Sequence, residues 1–254
     1  MGTMDKVKKL SLTQDQASLW FLGQAGYIAR AGDRTLAIDP YLTDSVAKTA
    51  PEYSRIVPVP IAPEDLDVDV FIVTHDHLDH LDPETIARYG HKDTTTFVAP
   101  RLAAKKLARL GIREPSIVKI DSGETRDVRG LTIAGIYAVP TDAAVIDTTG
   151  YKITFANGRS FYHSSDSSYS EVLKAAVPNA EVLLVCINGK WGNLSIAEAA
   201  IVAASVQPRF ALPNHYDLMA LNSADPEEFV ARMGKEHPEI SVRMTRIMEP
   251  FIWS

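Results

Sequence analysis

The sequence predicts an α/β fold in which short apolar strands alternate with capped helices. Short apolar runs recur along the chain and are bounded by glycine, proline or aspartate, which is typical of strands in a sheet. Several intervening stretches begin with a serine or aspartate and carry proline or glutamate in the first turn, which indicates helix N-termini. No low-complexity segment, charged tail or flexible linker interrupts this rhythm, so we predict a single domain over residues 1–254.

The first part of the chain is predicted to contain four strands and one helix. The strands are predicted at residues 18–22, 26–31, 34–39 and 68–73. Residues 41–67 are rich in proline and show no periodicity, which predicts a long surface loop able to cover a site. Asp82 is predicted to be the N-cap of a helix that begins at Pro83 and ends near Tyr89.

The rest of the chain is predicted to add eight strands and four helices. The strands are predicted at residues 95–99, 117–120, 131–139, 151–155, 160–163, 182–187, 210–212 and 240–248. The helices are predicted at residues 100–110, at a capping box of Ser168 with Glu171, at one of Ser195 with Glu198, and at an N-cap of Asp225. Asn157 and Gly158 predict a hairpin turn because both residues readily adopt positive φ angles.

Composition excludes several classes of function. The net charge of −6 argues against a nucleic-acid or anionic-membrane partner, and no apolar run approaches the roughly 18 residues that span a bilayer. Residues 1–6 lack the apolar stretch of a signal peptide, and the single cysteine, Cys186, allows no internal disulfide. We therefore expect a cytoplasmic protein that acts on a small molecule. The sequence does not determine the oligomeric state, and a homo-oligomer is compatible with it.

One stretch concentrates three of the seven histidines in the chain. It directly follows the strand predicted at 68–73 and reads Thr74-His75-Asp76-His77-Leu78-Asp79-His80-Leu81-Asp82. Imidazole nitrogens and carboxylate oxygens are the ligands that divalent transition metals take from proteins. Because a strand that ends in such a loop can direct several ligands at one point, we interpret His75, His77, Asp79 and His80 as the core of a metal site.

Three residues elsewhere in the chain also lie just after a predicted strand, as this cluster does. Asp39, Asp166 and His215 each follow the end of an apolar strand, where sheet proteins commonly build their sites. Taken alone, Asp39 could be a turn residue, Asp166 a helix cap and His215 a histidine satisfied in the core. Their shared placement favours a role at the metal site.

The order of these residues resembles the metallo-β-lactamase superfamily. The motif His75-x-His77-x-Asp79-His80 is followed by a strand-ending Asp166 and a final His215. Further stretches resemble the branch that contains L-ascorbate-6-phosphate lactonase and similar metal-dependent hydrolases. These stretches are Trp20-x-Leu22-Gly23-Gln24-Ala25-Gly26-Tyr27, Ile38-Asp39-Pro40-Tyr41-Leu42, Ile187-Asn188-Gly189, Pro213-Asn214-His215-Tyr216-Asp217, Asn222 and Asp225-Pro226-Glu227-Glu228-Phe229. The resemblance runs from about Trp20 to the C-terminus.

This resemblance implies a four-layer αββα sandwich, with two mixed sheets and helices on both outer faces. It implies that His75 and His77 hold a first metal, that Asp79, His80 and His215 hold a second, and that Asp166 bridges them. A water or hydroxide between the metals would be the nucleophile. Asp79 and His80 would be catalytic, with Asp79 accepting a proton or steering that nucleophile. Asp39 would fix a ligand histidine through a hydrogen bond.

The chain departs from the family at one position. The superfamily usually places another histidine after the strand equivalent to residues 131–139, but no histidine stands there in this chain. Asp142 is the best substitute as third ligand of the first metal, and Asp147 is the reserve candidate. A site with two histidines and carboxylates favours Mn²⁺ or mixed occupancy over Zn²⁺ alone. The cofactor is thus expected to be one or two divalent ions, Mn²⁺ or Zn²⁺.

Other polar residues are candidates for supporting roles. Gln24 could face the metals, and His163 could form a wall of the site. Lys190, Trp191 and Arg55 lie on predicted loops and could contact substrate. His91 and His237 lie in polar surroundings and are expected to be exposed.

The leading functional hypothesis is a metal-dependent hydrolase. The substrate would be a lactone or similar ester of a small, polar, phosphorylated or unphosphorylated carbohydrate, with metal stabilising the oxyanion. One alternative is a phosphodiesterase or nuclease on the same fold, although the chain has no basic patch. The other is a non-hydrolytic, metal-binding regulatory protein whose first site has decayed.

Overall fold

The computed structural model describes residues 3–254. Its strands are β1 (Ala17–Gly23), β2 (Gly26–Ala31), β3 (Arg34–Ile38), β4 (Val70–Ile72), β5 (Thr96–Ala99), β6 (Ile117–Lys119), β7 (Thr125–Val128), β8 (Leu131–Tyr137), β9 (Thr149–Thr154), β10 (Ser160–His163), β11 (Val182–Cys186), β12 (Phe210–Asn214), β13 (Ser241–Val242) and β14 (Pro250–Trp253). Its helices are α1 (Thr3–Lys9), α2 (Pro83–Arg88), α3 (Arg101–Arg109), α4 (Glu171–Ala176), α5 (Ile196–Val206) and α6 (Pro226–Glu236).

The strands form two mixed sheets of seven strands each. The first sheet has the order β14-β1-β2-β3-β4-β5-β6, and the second has the order β13-β12-β11-β10-β9-β8-β7. In the first sheet the strands from β14 to β3 pair antiparallel and those from β3 to β6 pair parallel. In the second sheet the strands from β10 to β13 pair parallel and those from β7 to β10 pair antiparallel.

The core shows how the sheets and helices are layered. Adjacent side chains of β1 point to opposite faces of the sheet, so Leu19 belongs to one buried cluster and Trp20 to another. The cluster of Leu19 contains side chains from both sheets and from α5 and α6. The cluster of Trp20 joins the outer face of the first sheet to Ile86 of α2 and Leu107 of α3. This arrangement confirms the αββα sandwich.

Local signals in the sequence account for several element ends. Asp82 caps α2 by accepting from the backbone N–H groups of Glu84 and Thr85 at 2.9 and 3.1 Å. Ser195 and Glu198 form the predicted capping box of α5. Gly158 has a φ of +85° at the turn that joins β9 to β10. These predictions are confirmed.

Two predictions about elements are wrong. The N-cap of α4 is Ser170, which accepts from the N–H of Leu173, because the Ser168 hydroxyl instead donates to the Gly192 carbonyl at 2.6 Å. The strand predicted at 240–248 forms a strand only over Ser241–Val242, and Ile247 instead makes an isolated bridge to Phe21 of the first sheet. After it the chain turns, with Met248 at a φ of +59°, and crosses to the other sheet as β14.

The sequence did not predict α1, β7 or β14. Along residues 3–254, none of the helices combines the length and apolarity needed to cross a membrane.

Candidate metal centre

The predicted site residues lie where strands of both sheets end. Asp39 follows β3 and the histidine cluster follows β4, which is the parallel neighbour of β3. Asp166 follows β10, and His215 follows β12 in the parallel part of the second sheet. Parallel strands present their carboxyl ends at one edge of a sheet, so the sandwich brings these loops together.

The first set of candidate ligands consists of His75, His77 and Asp166, which offer atoms within 4.8 Å of one another. The Nε2 atom of His75 lies 3.0 Å from the Nδ1 atom of His77. Burial, assisted by the neighbouring His80, lowers the pKa of His75 to about 3. His75 is therefore neutral and has a nitrogen lone pair available for a cation.

The second set consists of Asp79, His80 and His215. The Nε2 atoms of His80 and His215 lie 3.8 and 3.6 Å from Oδ2 of Asp79. They also lie 3.5 and 3.3 Å from the two oxygens of Asp166. The Asp166 carboxylate thus borders both sets.

These distances fit a bound cation. An ion that is bonded to four ligands at about 2.0–2.1 Å in a tetrahedron keeps the ligand atoms roughly 3.3–3.4 Å apart. Nε2 of His80 and Oδ1 of Asp166 are buried and have no hydrogen-bond partner among the described residues. Because buried polar atoms are normally partnered, these two are suited to bind a metal.

Buried hydrogen bonds fix the orientation of His80. Asp39 accepts from the backbone N–H and the hydroxyl of Thr74 at 2.8 and 2.6 Å, and its Oδ2 lies 2.7 Å from Nδ1 of His80. Asp39 has a φ of +46° and lies fully buried. Burial would raise the pKa of Asp39, but His80 lowers it below its ordinary value. The ionised carboxylate therefore accepts from Nδ1 and directs Nε2 toward the centre.

Without a bound cation, the second set holds protons. Burial would lower the pKa of both His80 and His215, but the carboxylates around them, led by Asp166, reverse that effect. The pKa of His80 is raised well above its ordinary value, and that of His215 is raised to about 9. In turn the histidines overcome burial and lower the pKa of Asp79 and of Asp166. A divalent cation would replace these protons as the positive charge.

Asp142, the predicted third ligand, lies outside both sets. Its Oδ2 lies 2.9 Å from Nε2 of His77, the nitrogen that faces away from His75, and its Oδ1 accepts from the Ala144 N–H at 2.6 Å. The reserve candidate Asp147 instead accepts from the Leu102 N–H at the start of α3. The first set therefore contains two histidines and one carboxylate, and Asp142 as a direct ligand stays a prediction.

Gln24 contacts the second set through both its side chain and its backbone. Its side-chain amide donates to Oδ2 of Asp79 at 2.8 Å, and its backbone carbonyl accepts from the N–H of His215 at 2.6 Å. His163 is buried beside the centre, where Nε2 lies 2.9 Å from the Ala25 carbonyl and Nδ1 accepts from the Ser165 N–H. His163 belongs to neither set and shapes the turn that leads to Asp166.

The remaining predicted residues do not reach the two sets. Lys190 is exposed, and Arg55 donates to three backbone carbonyls of its own loop region. His91 lies 3.7 Å from Asp67, and His237 lies 3.6 Å from Glu239, both away from the centre.

Sequence reasoning missed one residue at the centre. Asn193 lies in the loop after β11, and its side-chain amide donates to Oδ2 of Asp166 at 2.8 Å. Its own Oδ1 is buried without a partner among the described residues. The only signal was its position in a loop after a buried strand, which does not distinguish it from Asn188 in the same loop.

Comparisons with known proteins agree with this geometry. A family model described as "Beta-lactamase superfamily domain" matches residues 34–216. The chain is 29% identical over 210 residues to a UPF0173 metal-dependent hydrolase of Thermoplasma acidophilum, with 80% of this chain and 85% of the relative covered. It is 30% identical over 223 residues to one of Saccharolobus solfataricus, with 84% and 90% covered.

A solved structure shares the fold. Igni18, a metallo hydrolase from Ignicoccus hospitalis, superimposes with a TM-score of 0.73 at 21% identity, covering 94% of this chain and 99% of that one. The family match spans both ligand sets up to Tyr216. The chain therefore belongs to the β-lactamase superfamily and, with its relatives, to the metal-dependent hydrolases of that superfamily.

Proposed function

We propose that the protein hydrolyses a lactone or related carboxylic ester with one or two divalent ions held by the two ligand sets. The observation that carries this proposal is the position of Asp166, whose carboxylate lies 3.3–3.5 Å from His215 and His80 and also belongs to the set of His75 and His77. A shared carboxylate between two sets is the arrangement of two-metal hydrolytic sites.

In this proposal His75, His77 and Asp166 would hold one ion, and Asp79, His80 and His215, together with Asp166, would hold the other. When bound, such ions polarise a carbonyl oxygen and lower the pKa of a coordinated water toward neutrality. The donor atoms of the first set, two nitrogens and a carboxylate oxygen, are of the types that Zn²⁺ and Mn²⁺ both accept, so either ion fits the proposal.

The protein's own side chains then position the reaction. Asp79 is 15% exposed, the open member of a set whose two histidines are fully buried, so its carboxylate can meet substrate and take up a proton. Gln24 holds that carboxylate by donating to Oδ2. Asp39 holds His80 in one tautomer, so that Nε2 is oriented before substrate arrives.

The proposed substrate is a small molecule, in keeping with the lactonase-like motifs around Asn188 and Asn222. The side chains of these two residues join in a 2.7 Å hydrogen bond beside the centre. The net charge of −6 supports neither a nucleic-acid nor an anionic-membrane partner. A phosphodiesterase on the same scaffold is the competing activity.

A metal-replacement experiment tests the proposal. The protein is stripped with a chelator, reloaded with Mn²⁺ or Zn²⁺, and its metal content is measured beside its turnover of lactone, aryl ester and phosphodiester panels. We expect one to two ions per chain and lactone or ester turnover that returns with metal. Asp166→Asn should lose metal and turnover, whereas Asp147→Asn, the matched control at the start of α3, should keep both.

The outcomes separate the alternatives. A loaded protein that prefers phosphodiesters would replace the ester proposal with the phosphodiesterase. A fully loaded protein that turns over no ester of any class would favour the non-hydrolytic regulatory protein. Thermal melting of each variant distinguishes loss of metal from loss of fold.

A further inference from the structure

An exposed tryptophan lies on a loop that is bonded to the candidate metal centre. Trp191 is 67% exposed, the highest value among the large hydrophobic side chains of the described residues. It has a φ of +55°, a backbone conformation that is strained for a non-glycine residue. Such strain persists only where surrounding contacts hold the loop in place.

Those contacts tie the loop to Asp166 and its neighbours. Asn193 donates to the Asp166 carboxylate, the Leu194 N–H donates to the Ser167 carbonyl at 2.9 Å, and the Ser168 hydroxyl donates to the Gly192 carbonyl. Trp191, two residues before Asn193, therefore lies on a loop whose backbone is fixed next to Asp166.

A second aromatic ring approaches from the opposite loop. The ring centroid of Tyr53 lies 6.1 Å from that of Trp191, with the planes tilted by 57°. Tyr53 packs on a small apolar cluster with Leu218 and Met219, and Met219 Sδ lies 4.0 Å from the Gln24 amide. Gln24 in turn contacts Asp79. The aromatic pair of Tyr53 and Trp191 thus joins the two loops that border the first and second ligand sets.

The loops around the centre carry few lysine or arginine side chains that could bind a substrate phosphate. Residues 41–67, 74–82, 138–148, 164–170, 188–195 and 215–225 together contain three lysines or arginines. Lys48 pairs with Glu84 at 2.5 Å, and the Arg55 guanidinium is used by the carbonyls of Tyr41, Val57 and Pro58. Lys190 is exposed and makes no side-chain hydrogen bond or ion pair within the described chain.

Apolar surface is common on these loops instead. Exposed side chains there include Ile56, Ile146 and Leu221, at 60%, 65% and 53%. Exposed apolar groups on loops that border a site can contact a ligand bound there.

We propose that Trp191 and Tyr53 determine specificity by binding a planar apolar part of the substrate, so that the enzyme prefers aromatic lactones and esters over phosphorylated sugar lactones. This inference rests on the proposed hydrolase function and names its substrate class. An aromatic ring of the substrate stacks against Trp191, while its ester group lies over the two ligand sets.

The first test compares kcat/KM for dihydrocoumarin, δ-valerolactone and a phosphorylated sugar lactone. We expect dihydrocoumarin to be preferred, and Trp191→Ala to lower its kcat/KM relative to δ-valerolactone about tenfold, mainly through KM. Trp191→Phe should restore most of this ratio. Val172→Ala, which alters a 64%-exposed apolar side chain on α4, should leave the ratio unchanged.

A second test measures binding without turnover. Trp20 and Trp253 are buried at 2% and 3%, so Trp191 is the exposed tryptophan among the three of the chain. The lactam analogue of dihydrocoumarin should shift its fluorescence in the metal-loaded protein, and Trp191→Ala should weaken lactam binding about tenfold by calorimetry.

The results distinguish two kinds of failure. Lactam binding that depends on Trp191, in a protein that hydrolyses no lactone, would overturn the hydrolase proposal and keep the recognition surface. Lactone hydrolysis with no lactam binding would overturn this inference alone. So would a preference for the phosphorylated lactone, or a Trp191→Ala effect that is equal on both unphosphorylated lactones.

Discussion

Two carboxylate–histidine pairs border the candidate metal centre, and they differ in burial far more than in chemistry. Asp39 contacts His80 at 2.7 Å with both side chains fully buried. Asp142 contacts His77 at 2.9 Å, but the side chains are 51% and 31% exposed. In each pair a carboxylate contacts the histidine nitrogen that faces away from the other ligands. Similar distances therefore accompany very different environments in the two pairs.

The difference follows from where each aspartate lies. Asp39 directly follows β3 and accepts two hydrogen bonds from Thr74 besides that of His80, so its position is determined by the sheet. Asp142 lies on the loop between β8 and β9, and its second oxygen accepts from Ala144, two residues away. Water screens the exposed pair, so its electrostatic contribution should be small.

The largest loss of activity is expected on substitution of Asp166. Its carboxylate borders both ligand sets, so both candidate metal sites would be impaired. Asp166→Ala should lower kcat/KM by at least about a thousandfold, since metal stabilisation of a transition state is worth several kcal/mol. Metal analysis should show loss from both sets. A variant that keeps its metals and most of its activity would refute the bridging role.

The buried pair should matter next. Asp39→Asn keeps the size of the side chain but replaces an acceptor with an amide, so His80 loses its fixed tautomer. We expect metal affinity to fall about 10–100-fold. Titration with a competing chelator measures this, and circular dichroism checks that the fold is kept. An unchanged affinity would show that burial alone orients His80.

The protons on the second set predict a pH dependence. Because the pKa of His215 is raised to about 9 and that of His80 well above its ordinary value, metal binding at neutral pH must displace a proton from each. Affinity should therefore rise below pH 9 by up to about tenfold per pH unit for each proton displaced. Calorimetry in buffers of different ionisation enthalpy counts the released protons. Uptake of metal without proton release would contradict the assignment of His215.

The stability of the metal-stripped protein should fall as pH rises, whereas its metal affinity rises. A folded-state pKa above the unfolded value stabilises the fold fully below about pH 6.5, and this contribution is lost as pH rises through about 9. The stripped protein should therefore melt at lower temperature as pH rises across this window. The loaded protein, in which metal has replaced the proton, should not show that fall.

The smallest effect is expected from the exposed pair. Asp142→Asn should change metal affinity about threefold or less, in line with exposed ion pairs. The measurement is the same chelator titration as for Asp39→Asn, so the two variants form a matched pair. Equal losses in both would mean that Asp142 contacts a metal directly, as the sequence predicted for the missing histidine.

The sequence predicted most of the fold because its signals are local. Strand patterns, the Asp82 and Asp225 N-caps and the Ser195 capping box each depend on neighbours within a few residues. The predictions of secondary structure failed where a contact between residues far apart in the sequence determines the structure. Ser168 satisfies the right spacing for a cap, but its hydroxyl bonds to Gly192, and β14 forms only because β1 supplies a partner.

The candidate site likewise contains residues that local sequence patterns predict and one that only a long-range contact reveals. The spacing of His75, His77 and Asp79 in one loop identified a cluster, and strand ends identified Asp166 and His215. Asn193 could not be found in this way, because its contact with Asp166 joins two loops that are 27 residues apart in the chain. No periodicity or spacing in the sequence encodes such a contact.

The pairing of β14 with β1 has a consequence for synthesis. Ala17 is aligned with Trp253, so β1 is the edge strand of the first sheet until residues 250–253 have been synthesised and paired with it. Unpaired strand edges invite association with other chains. The nascent chain should therefore be most prone to associate with other chains before β14 covers β1.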